Sequence, residues 1–331
     1  MITALAGGVG AARFLIGLTA VVDAGNVTAV VNTGDDVELH GLWVSPDLDT
    51  VTYTLGGAIN AELGWGLTGE TWSAMSALAR YGPHAPAGST AGATWFRLGD
   101  RDLATHLYRT RRLDEGAPLS TVTAEIAAAW GLGVCLVPMS DDPVQTMVTV
   151  REDGRLTEIG FQDYFVGRQH GVPVASLRFA GAEGARPAPG VLAAIADADL
   201  VIVCPSNPLV SIAPLRAVPG IEAALRARRD DVVAISPIVA GAALKGPADH
   251  MLSELGHQSS VVGVARLYAP IVATLVIDEA DADLAADVEA EGMACVVAPT
   301  IMHGRAEAAA LAERALAAGG LSAARTASGQ P

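Results

Sequence analysis

Residues 1–18 read MITALAGGVGAARFLIGL, and this stretch decides the fold. The apolar run 2–6 predicts a buried strand, and the apolar stripe of residues 11–22 predicts a helix. Between them lies the turn 7–10, which contains three glycines. A strand, a glycine turn and a helix in this order begin the nucleotide-binding units of α/β proteins. We therefore expect an α/β fold with a binding site at the end of the first strand.

The glycine turn matches neither standard phosphate loop. It lacks the Lys-Ser/Thr pair of a P-loop, and Arg13 stands where the dinucleotide fingerprint has its third glycine. A cation in the first turn of a helix opposes the helix dipole unless an anion lies nearby. We interpret Gly7, Gly8, Gly10 and Arg13 as a nucleotide-phosphate site. The alternative is a tight strand-to-helix turn with Arg13 in solvent.

Six further apolar runs share the character of the first strand. They cover 27–31, 134–138, 200–204, 232–236, 272–277 and 295–298. Most are continuously apolar, as expected of strands buried on both faces of a sheet. Helical patterns separate them, and an alanine-rich helix is expected over 304–318. This alternation predicts an α/β fold class with a doubly wound, mostly parallel, Rossmann-like sheet in a single domain over 1–331.

One segment breaks the alternation of strands and helices. The sequence TMVTVREDGRLTEIGF, residues 146–161, alternates with period two on both sides of Asp153-Gly154. This pattern indicates an antiparallel hairpin with a two-residue turn. We therefore expect an inserted hairpin and helical subdomain over about 140–190.

The charge of the chain excludes several classes of partner. Lys and Arg total 21 against 36 Asp and Glu, which gives a formal net charge of −15. Such a balance opposes binding to nucleic acid or to an anionic membrane surface. A small anionic substrate would need local neutralisation by backbone N–H groups, an arginine or a metal ion.

The cysteines and the apolar runs bear on localisation. Cys135, Cys204 and Cys295 each lie in an apolar run, so we expect three buried thiols and no disulfide. No signal peptide precedes the first strand, and no apolar stretch is long enough to span a bilayer. These features predict a cytoplasmic protein. The last residues, TASGQP, are expected to lack fixed structure.

Carboxylates cluster after the second predicted strand. Asn32, Asp35 and Asp36 follow it directly, and Asp47 and Asp49 come soon after in SPDLDT. Hard oxygen ligands of this kind hold Mg²⁺ beside substrate phosphates. We expect a magnesium site here; the alternative is an acidic surface loop on an acidic protein.

A second candidate site lies in the aromatic stretch WFRLGDRDLATHLYRTRRL, residues 95–113. Trp95 and Phe96 beside Arg97 could form a wall against which a planar ring stacks. The alternative is a pair of core aromatics with a solvated arginine. Asp100 is expected to cap the helix that follows. The stretch GWGLTGETW, residues 64–72, contains Trp65 and Trp72, which either line a pocket or pack in the core.

Small polar residues follow two later strands. Ser206 and Asn207 lie between two prolines after the strand at 200–204, and Ser236 ends the strand at 232–236. Ligands of open α/β sheets collect at these carboxyl edges. The side chains could contact a purine or a phosphate, or they could brace the turn and cap the next helix.

These motifs resemble a known family over nearly the whole chain. The chain is similar to the 2-phospho-L-lactate transferases of coenzyme F-420 biosynthesis, called phosphoenolpyruvate transferases in actinobacteria. The matching stretches are Asn32-x-Gly-Asp35-Asp36, Pro46-Asp-Leu-Asp49-Thr50, Trp95 to His106, Pro205-Ser-Asn-Pro208 and Ser236-Pro-Ile.

The resemblance implies a specific reaction. A guanosine diphospho-linked phospholactate or phosphoenolpyruvate is the donor, and 7,8-didemethyl-8-hydroxy-5-deazariboflavin (Fo) is the acceptor. The terminal ribityl hydroxyl attacks the phosphorus that bears the three-carbon acid, and GMP leaves. The product is F-420-0 or its dehydro form, the cofactor is Mg²⁺, and a homodimer is expected.

The resemblance also assigns roles to residues. Asp49 and Arg97 would contact the deazaflavin, with Trp95 as the stacking wall. Asp35, with Asp36 or Asp49, would hold Mg²⁺. The nucleotide would lie against Gly7, Gly8, Gly10, Ser206 and Asn207, with Arg13, Asn32 and Ser236 as further candidates. Asp49 and Asp35 are the candidate catalytic residues, and Asp49→Asn is expected to lower turnover far more than stability.

Two other functions remain open. A nucleotide-sugar-binding regulatory protein of related fold would share the glycine-rich start without the chemistry. An NAD(P)-dependent oxidoreductase would bind a nicotinamide instead of a guanosine nucleotide.

Overall fold

The computed structural model describes residues 1–321. The TASGQP stretch lies outside the described residues. The strands are β1 (Ile2–Ala6), β2 (Val27–Val31), β3 (Val37–Leu39), β4 (Leu42–Val44), β5 (Cys135–Pro138), β6 (Gln145–Glu152), β7 (Arg155–Gly160), β8 (Val174–Ala180), β9 (Leu200–Val203), β10 (Val232–Ile235), β11 (Ile238–Val239), β12 (Ala242–Ala243), β13 (Thr274–Ile277) and β14 (Ala294–Val297).

Helices connect the strands. The α-helices are α1 (Val9–Val21), α2 (Pro46–Leu55), α3 (Ser73–Leu78), α4 (Asp102–Asp114), α5 (Leu119–Ala129), α6 (Val191–Asp197), α7 (Ala213–Ala217), α8 (Ile221–Ala227), α9 (Ala248–Glu254), α10 (Val261–Tyr268), α11 (Ala285–Ala290) and α12 (Arg305–Ala318). Two π-helical segments cover Asp163–Gly167 and Pro208–Ile212. Short 3₁₀ turns lie at Ala24–Asn26, Gly82–His84, Ala182–Gly184, Arg229–Asp231 and Glu279–Leu284.

The main sheet has seven parallel strands in the order β14-β13-β10-β9-β1-β2-β5. The chain begins at the interior strand β1, builds outward through β2 and β5, and then returns to build β9, β10, β13 and β14 on the other side. The predicted doubly wound α/β fold is therefore confirmed. The order of strands reverses between β1 and β9, and ligands of such folds bind in the crevice at this point.

The sheet is covered on both faces. One face packs against α1 and α12, which approach so closely that a Cβ at Gly17 would overlap the backbone of Ala308. Phe14, Leu18 and Leu311 lie in the core on this side. The other face packs against elements that include α8, α9 and α10, and their core contains Leu225, Leu252 and Val264. Burial on both faces explains the continuous apolar character of the strands.

The insert is a three-stranded antiparallel sheet in the order β7-β6-β8. Asp153 and Gly154 connect β6 to β7 with φ angles of 47° and 76°. Two positive φ angles are those of a type I′ turn, which matches the twist of a hairpin and which Asp-Gly favours. The inserted hairpin is where the alternating pattern predicted it.

The cysteines correct one expectation. Cys204 is buried and Cys295 is partly buried, but Cys135 is exposed. The reason is topological, because Cys135 begins β5, which is an edge strand of the sheet. Within residues 1–321 no single helix is long and apolar enough to cross a membrane. One bent pair, Pro208–Ala217 and Ile221–Ala227, reaches the required length and composition only when both parts are counted together.

Candidate active site

A cavity of about 620 Å³ opens at the carboxyl edge of the sheet, where the strand order reverses. Its volume is in the range of sites that bind drug-sized molecules. Segments that follow β1, β2, β9, β10 and β14 all contribute to its wall, together with the insert. The residues that line it include Gly8, Gly10, Arg13, Asp35, Asp47, Asp49, Tyr53, Trp65, Phe96, Arg97, Asp102, His106, Phe161, Phe165, Ser206, Asn207, Ser236 and Lys245.

The glycine turn brings backbone close to other parts of the site. A Cβ at Gly8 would lie 2.5 Å from Oδ1 of Asp47, one at Gly7 would lie 2.5 Å from Cβ of Ser211, and one at Gly10 would overlap the carbonyl of Pro205. None of the three has a positive φ. The glycines are therefore required by close packing. The turn still has the features of a phosphate site, because no side chain caps the N-terminus of α1 and its first residues, Val9 and Gly10, line a cavity.

Arg13 corrects a detail of the sequence interpretation. Because α1 begins at Val9, Arg13 lies in its second turn and not in the first. The argument from the helix dipole is weaker there, since the effect falls off within one turn. The side chain nevertheless lines the cavity.

Asp35 and Asp47 are the carboxylates that the cavity brings together. Burial raises the pKa of Asp35 well above its usual value, and the charges of Asp47 and Asp36 raise it further. Burial also raises the pKa of Asp47 to about 6. Nδ2 of Asn32 donates to Asp47 at 2.9 Å, while Oδ1 of Asp35 is buried with no hydrogen-bond partner among the described residues. Asp47 was not among the metal ligands assigned from the sequence.

Asp36 and Asp49 do not join this pair. Asp36 accepts hydrogen bonds from Nε1 of Trp43 at 3.0 Å and from Oγ of Ser45 at 2.7 Å, and it lines a separate cavity of about 230 Å³. Both oxygens of Asp49 accept hydrogen bonds from the guanidinium of Arg109, one of them at 3.1 Å. The direction of each side chain decides which aspartates pair and which bind other residues. The spacing of the residues in the sequence does not show this direction.

The metal assignment of Asp35, Asp36 and Asp49 therefore needs correction. Among residues 1–321 there is no group of three or more His, Cys, Asp or Glu side chains placed to hold one ion. Two carboxylates do fit a magnesium ion that takes its other ligands from substrate phosphates and water. The unpartnered Oδ1 of Asp35 and the proximity of Asp47 are the observations that support this fit.

Asp49 belongs to a buried polar network on the wall of the cavity. Nδ1 of His106 lies 3.7 Å from Asp49, and Nε2 of His106 lies 3.3 Å from Asp102. The hydroxyl of Tyr53 donates to Asp102. Burial alone would raise the pKa of Asp102, but the interactions with His106 and Tyr53 bring it below its usual value. No sequence pattern distinguishes Arg109 from the other arginines of α4.

The two aromatic stretches come together in the fold. The guanidinium of Arg97 stacks 4.6 Å above the ring of Trp72, which lies 6.2 Å from Trp65. Phe96, Arg97 and Trp65 line the cavity. Trp95 does not line it; its ring contacts Phe96 edge to face at 5.8 Å. The structure therefore brings Arg97 to the site and leaves Trp95 outside it.

Asp100 caps a different helix from the one expected. Its carboxylate accepts hydrogen bonds from the backbone N–H groups of Ser73 and Ala74, each at 2.9 Å, and so caps α3. The N–H groups at the start of α4, those of Arg101 and Asp102, instead donate to Glu70. This exchange ties the stretch 64–72 to the stretch 95–102, because each supplies the cap of the other's helix.

The polar residues after the later strands have structural partners. Oγ of Ser206 accepts from the N–H of Gly7 at 3.1 Å, and Oδ1 of Asn207 accepts from the N–H of Leu209 at 2.9 Å. Oγ of Ser236 bonds both the N–H and the carbonyl of Ile238. Asn32 holds Asp47 and does not line the cavity. Ser206, Asn207 and Ser236 thus brace turns on the cavity wall.

The insert supplies residues that the sequence interpretation missed. The rings of Phe161 and Phe165 are stacked 5.6 Å apart, with an interplanar angle of 5°, and both line the cavity. Phe165 lies in the π-helical segment, and such segments frequently occur at functional sites. The alternating pattern of residues 146–161 predicted the insert, but nothing in the sequence indicated that the insert folds back over the edge of the sheet.

The raised pKa values of Asp36 and Asp47 predict how the stability of the protein depends on pH when no divalent cation is bound. Burial raises the pKa of Asp36 to about 7 and that of Asp47 to about 6, so the folded state binds these protons more tightly than the unfolded state does. Their contribution to stability is fully present below about pH 4 and is lost as the pH rises through 6 and 7. We expect the free energy of unfolding to fall by a few kcal/mol between about pH 5 and pH 8.

Chemical denaturation at several pH values measures this decline. A magnesium ion held by ionised Asp35 and Asp47 in the folded protein would reduce it. An unfolding free energy that stays constant or rises between these pH values in the presence of a chelator would contradict the expectation.

Comparison with known proteins identifies relatives over almost the full length. The family model described as 2-phospho-L-lactate transferase CofD matches residues 2–308. A phosphoenolpyruvate transferase of Streptomyces griseus subsp. griseus is 46% identical over 316 residues, which cover 95% of this chain and 97% of that protein. A phosphoenolpyruvate transferase of Mycobacterium ulcerans is 44% identical over 290 residues, which cover 84% of this chain and 86% of that protein.

A solved structure shows the same architecture. A protein of the UPF0052 family from Bacillus halodurans superposes with a TM-score of 0.58 at 16% identity, covering 95% of this chain and 98% of that chain. At this identity the similarity concerns the fold alone.

Proposed function

The chain belongs to the 2-phospho-L-lactate transferase family, and from that membership we propose that it transfers a phosphoenolpyruvyl group from a guanosine diphospho-linked donor to the ribityl hydroxyl of Fo. GMP is released and dehydro-F-420-0 is formed. The relatives named phosphoenolpyruvate transferase support the enolpyruvyl donor over the lactyl donor. We place the reaction in the cytoplasm and expect a homodimer.

One observation carries the proposal. Asp47 lies directly against Gly8, so a carboxylate pair and the uncapped N-terminus of α1 meet in one cavity. A diphosphate bound there would contact N–H groups at its oxygens, and Asp35 and Asp47 would hold the magnesium ion. The ion would stabilise the negative charge that develops on the leaving GMP.

The remaining residues of the site position the two substrates. The N–H groups of α1 and the guanidinium of Arg13 would orient the donor, and Arg97 with Trp65 and Phe96 would contact the planar acceptor. As the oxygen of the ribityl hydroxyl bonds to phosphorus, the bond from phosphorus to the GMP oxygen breaks, and the hydroxyl proton passes to solvent water. Asp49 is a poor acceptor for that proton while Arg109 occupies both of its oxygens. In this scheme positioning and charge stabilisation supply most of the catalysis.

The test offers the protein both donors in competition. Enolpyruvyl and lactyl diphosphoguanosine are mixed with Fo and magnesium, and the products are identified by mass spectrometry. The expected result is release of GMP with formation mainly of dehydro-F-420-0. No release of GMP from either donor would contradict the proposal. Tight binding of NAD(P), measured by calorimetry, would favour an oxidoreductase. Binding of a nucleotide sugar without turnover would favour a regulatory protein.

A further inference from the structure

Lys245 is the sole lysine in the chain of 331 residues. It follows β12 and lies at the mouth of the cavity, where its side chain is exposed at one end of the lining. Its Nζ approaches the carbonyl oxygen of Leu63 at 3.5 Å. The proposed function assigns no role to this residue. A unique, exposed ammonium group at a binding cavity calls for an explanation in terms of a ligand.

A second cation lies close to Lys245. Burial and the nearby guanidinium of Arg13 lower the pKa of Lys245. Within the described part of the chain, neither side chain lies within ion-pair distance of a carboxylate, whereas Asp49, which lines the same cavity, is paired with Arg109. Two like charges held together without a counter-ion repel each other. An anion bound between them would convert this repulsion into attraction.

The surroundings place these cations beside the glycine turn. A Cβ at Gly64 would lie 2.7 Å from Nζ of Lys245 and 3.5 Å from Cγ1 of Val9, the first residue of α1. The ammonium group therefore lies over the turn 60–66, next to the start of the helix that carries Arg13. Asp47 lies against the glycine turn 7–10 at Gly8, the residue before Val9. The ammonium group of Lys245 and the carboxylate of Asp47 thus lie near two consecutive residues, Val9 and Gly8.

We propose that Lys245 and Arg13 form an anion subsite that binds carboxylate or phosphate oxygens of the donor substrate. The inference rests on the proposed function and deepens it. It assigns a binding site to the anionic oxygens of the donor, which the carboxylate pair can bind only through a metal ion. Hydrogen bonds from an ammonium and a guanidinium group to an anion are charge-assisted, and they are stronger than hydrogen bonds between neutral groups. Lys245 then binds one part of an anion at the mouth of the cavity, and the other oxygens of that anion contact the N-terminus of α1.

Modification of amines in the intact protein tests the subsite without any assay of transfer. An acetylating reagent meets two kinds of amine, Nζ of Lys245 and the α-amino group of Met1, which pairs with Asp199 outside the cavity. Peptide mass spectrometry follows the two rates separately, with inorganic pyrophosphate or phosphoenolpyruvate as the probe. At a concentration about ten times its Kd, a bound probe should slow modification of Lys245 at least about fivefold and leave Met1 unchanged.

The two probes distinguish the source of the anion. Protection by pyrophosphate assigns the subsite to phosphate oxygens, and protection by phosphoenolpyruvate alone assigns it to the carboxylate. Arg13→Gln should abolish the protection, while Arg80→Gln, which removes an exposed arginine elsewhere, should leave it intact. Thermal melting confirms that both variants are folded.

Protection by neither probe, equal protection of both amines, or full protection in Arg13→Gln would overturn the subsite. These outcomes are separate from failure of the proposed function, because the probes contain neither guanosine nor deazaflavin. A protein that shows protection but releases no GMP would retain the subsite and lose the proposed reaction.

Discussion

Asp47→Asn is expected to lower kcat/KM by about a hundred- to a thousandfold while leaving the protein at least as stable as the wild type. The carboxylate would be one of two protein ligands of the magnesium ion, and loss of charge stabilisation at a transferring phosphate has effects of this size. Stability should not fall, because burial raises the pKa of Asp47 to about 6 and its charge is therefore unfavourable in the free protein at neutral pH. An asparagine oxygen can still accept the hydrogen bond from Asn32.

Three measurements check this result together. Steady-state kinetics at increasing magnesium should show a raised magnesium requirement, calorimetry should show that magnesium no longer strengthens GDP binding, and melting at about pH 8 should show an unchanged or higher Tm. Glu62→Gln is the matched control, because it removes one exposed carboxylate near the mouth that does not line the cavity. A variant with wild-type turnover and wild-type magnesium dependence would show that Asp47 is not a ligand.

Arg109→Gln is expected to destabilise the folded protein by about 3–5 kcal/mol. The guanidinium is almost fully buried and donates to both oxygens of Asp49, so its removal leaves a buried carboxylate without its partner. Asp49→Asn should also lower stability, because it leaves Arg109 buried with only part of its charge compensated. Residue type alone predicted that Asp49→Asn lowers turnover with little effect on stability, and the ion pair adds a cost that residue type does not show.

A double-mutant cycle separates the structural role of the pair from catalysis. Asp49→Asn with Arg109→Gln restores neutrality and hydrogen-bonding capacity, so the double variant should be more stable than the sum of the single changes predicts. Denaturant unfolding measures the coupling and steady-state kinetics measures turnover. Additive losses in stability would show that the ion pair does not couple the two residues. Recovery of both stability and turnover in the double variant would argue against a catalytic role for Asp49.

Side-chain direction limited what could be inferred about the site. The segment after β2 contains four aspartates, and their spacing alone could not show which of them point into the cavity. Trp43 and Ser45 bind Asp36, which lines the other cavity, and Arg109 binds both oxygens of Asp49 on the wall of this one, so Asp35 and Asp47 are the cavity carboxylates without an arginine partner. These partners lie 7 to 60 residues away in the sequence, so no local pattern reports them.

The aromatic residues show the same limit. Trp95 was expected to stack on the acceptor, but it packs against Phe96 outside the cavity, and Trp65 lines the cavity instead. Capping of α3 by Asp100 and of α4 by Glu70 brings the two aromatic stretches together. Each cap is a pair of long-range hydrogen bonds to one carboxylate, and long-range partners of this kind are not encoded in propensity or periodicity.

The fold class, the seven strands of the parallel sheet, the hairpin insert and the glycine turn beside the cavity at the end of β1 could all be predicted from the sequence. These features follow from hydrophobic periodicity and from turn chemistry, which act over a few residues. Only the tertiary structure decided which carboxylates share the cavity, that Phe161 and Phe165 of the insert reach it, and that Lys245 lies beside Arg13. The physical reason is that these contacts depend on how distant segments pack, and packing sets the direction, the burial and the charge environment of each side chain.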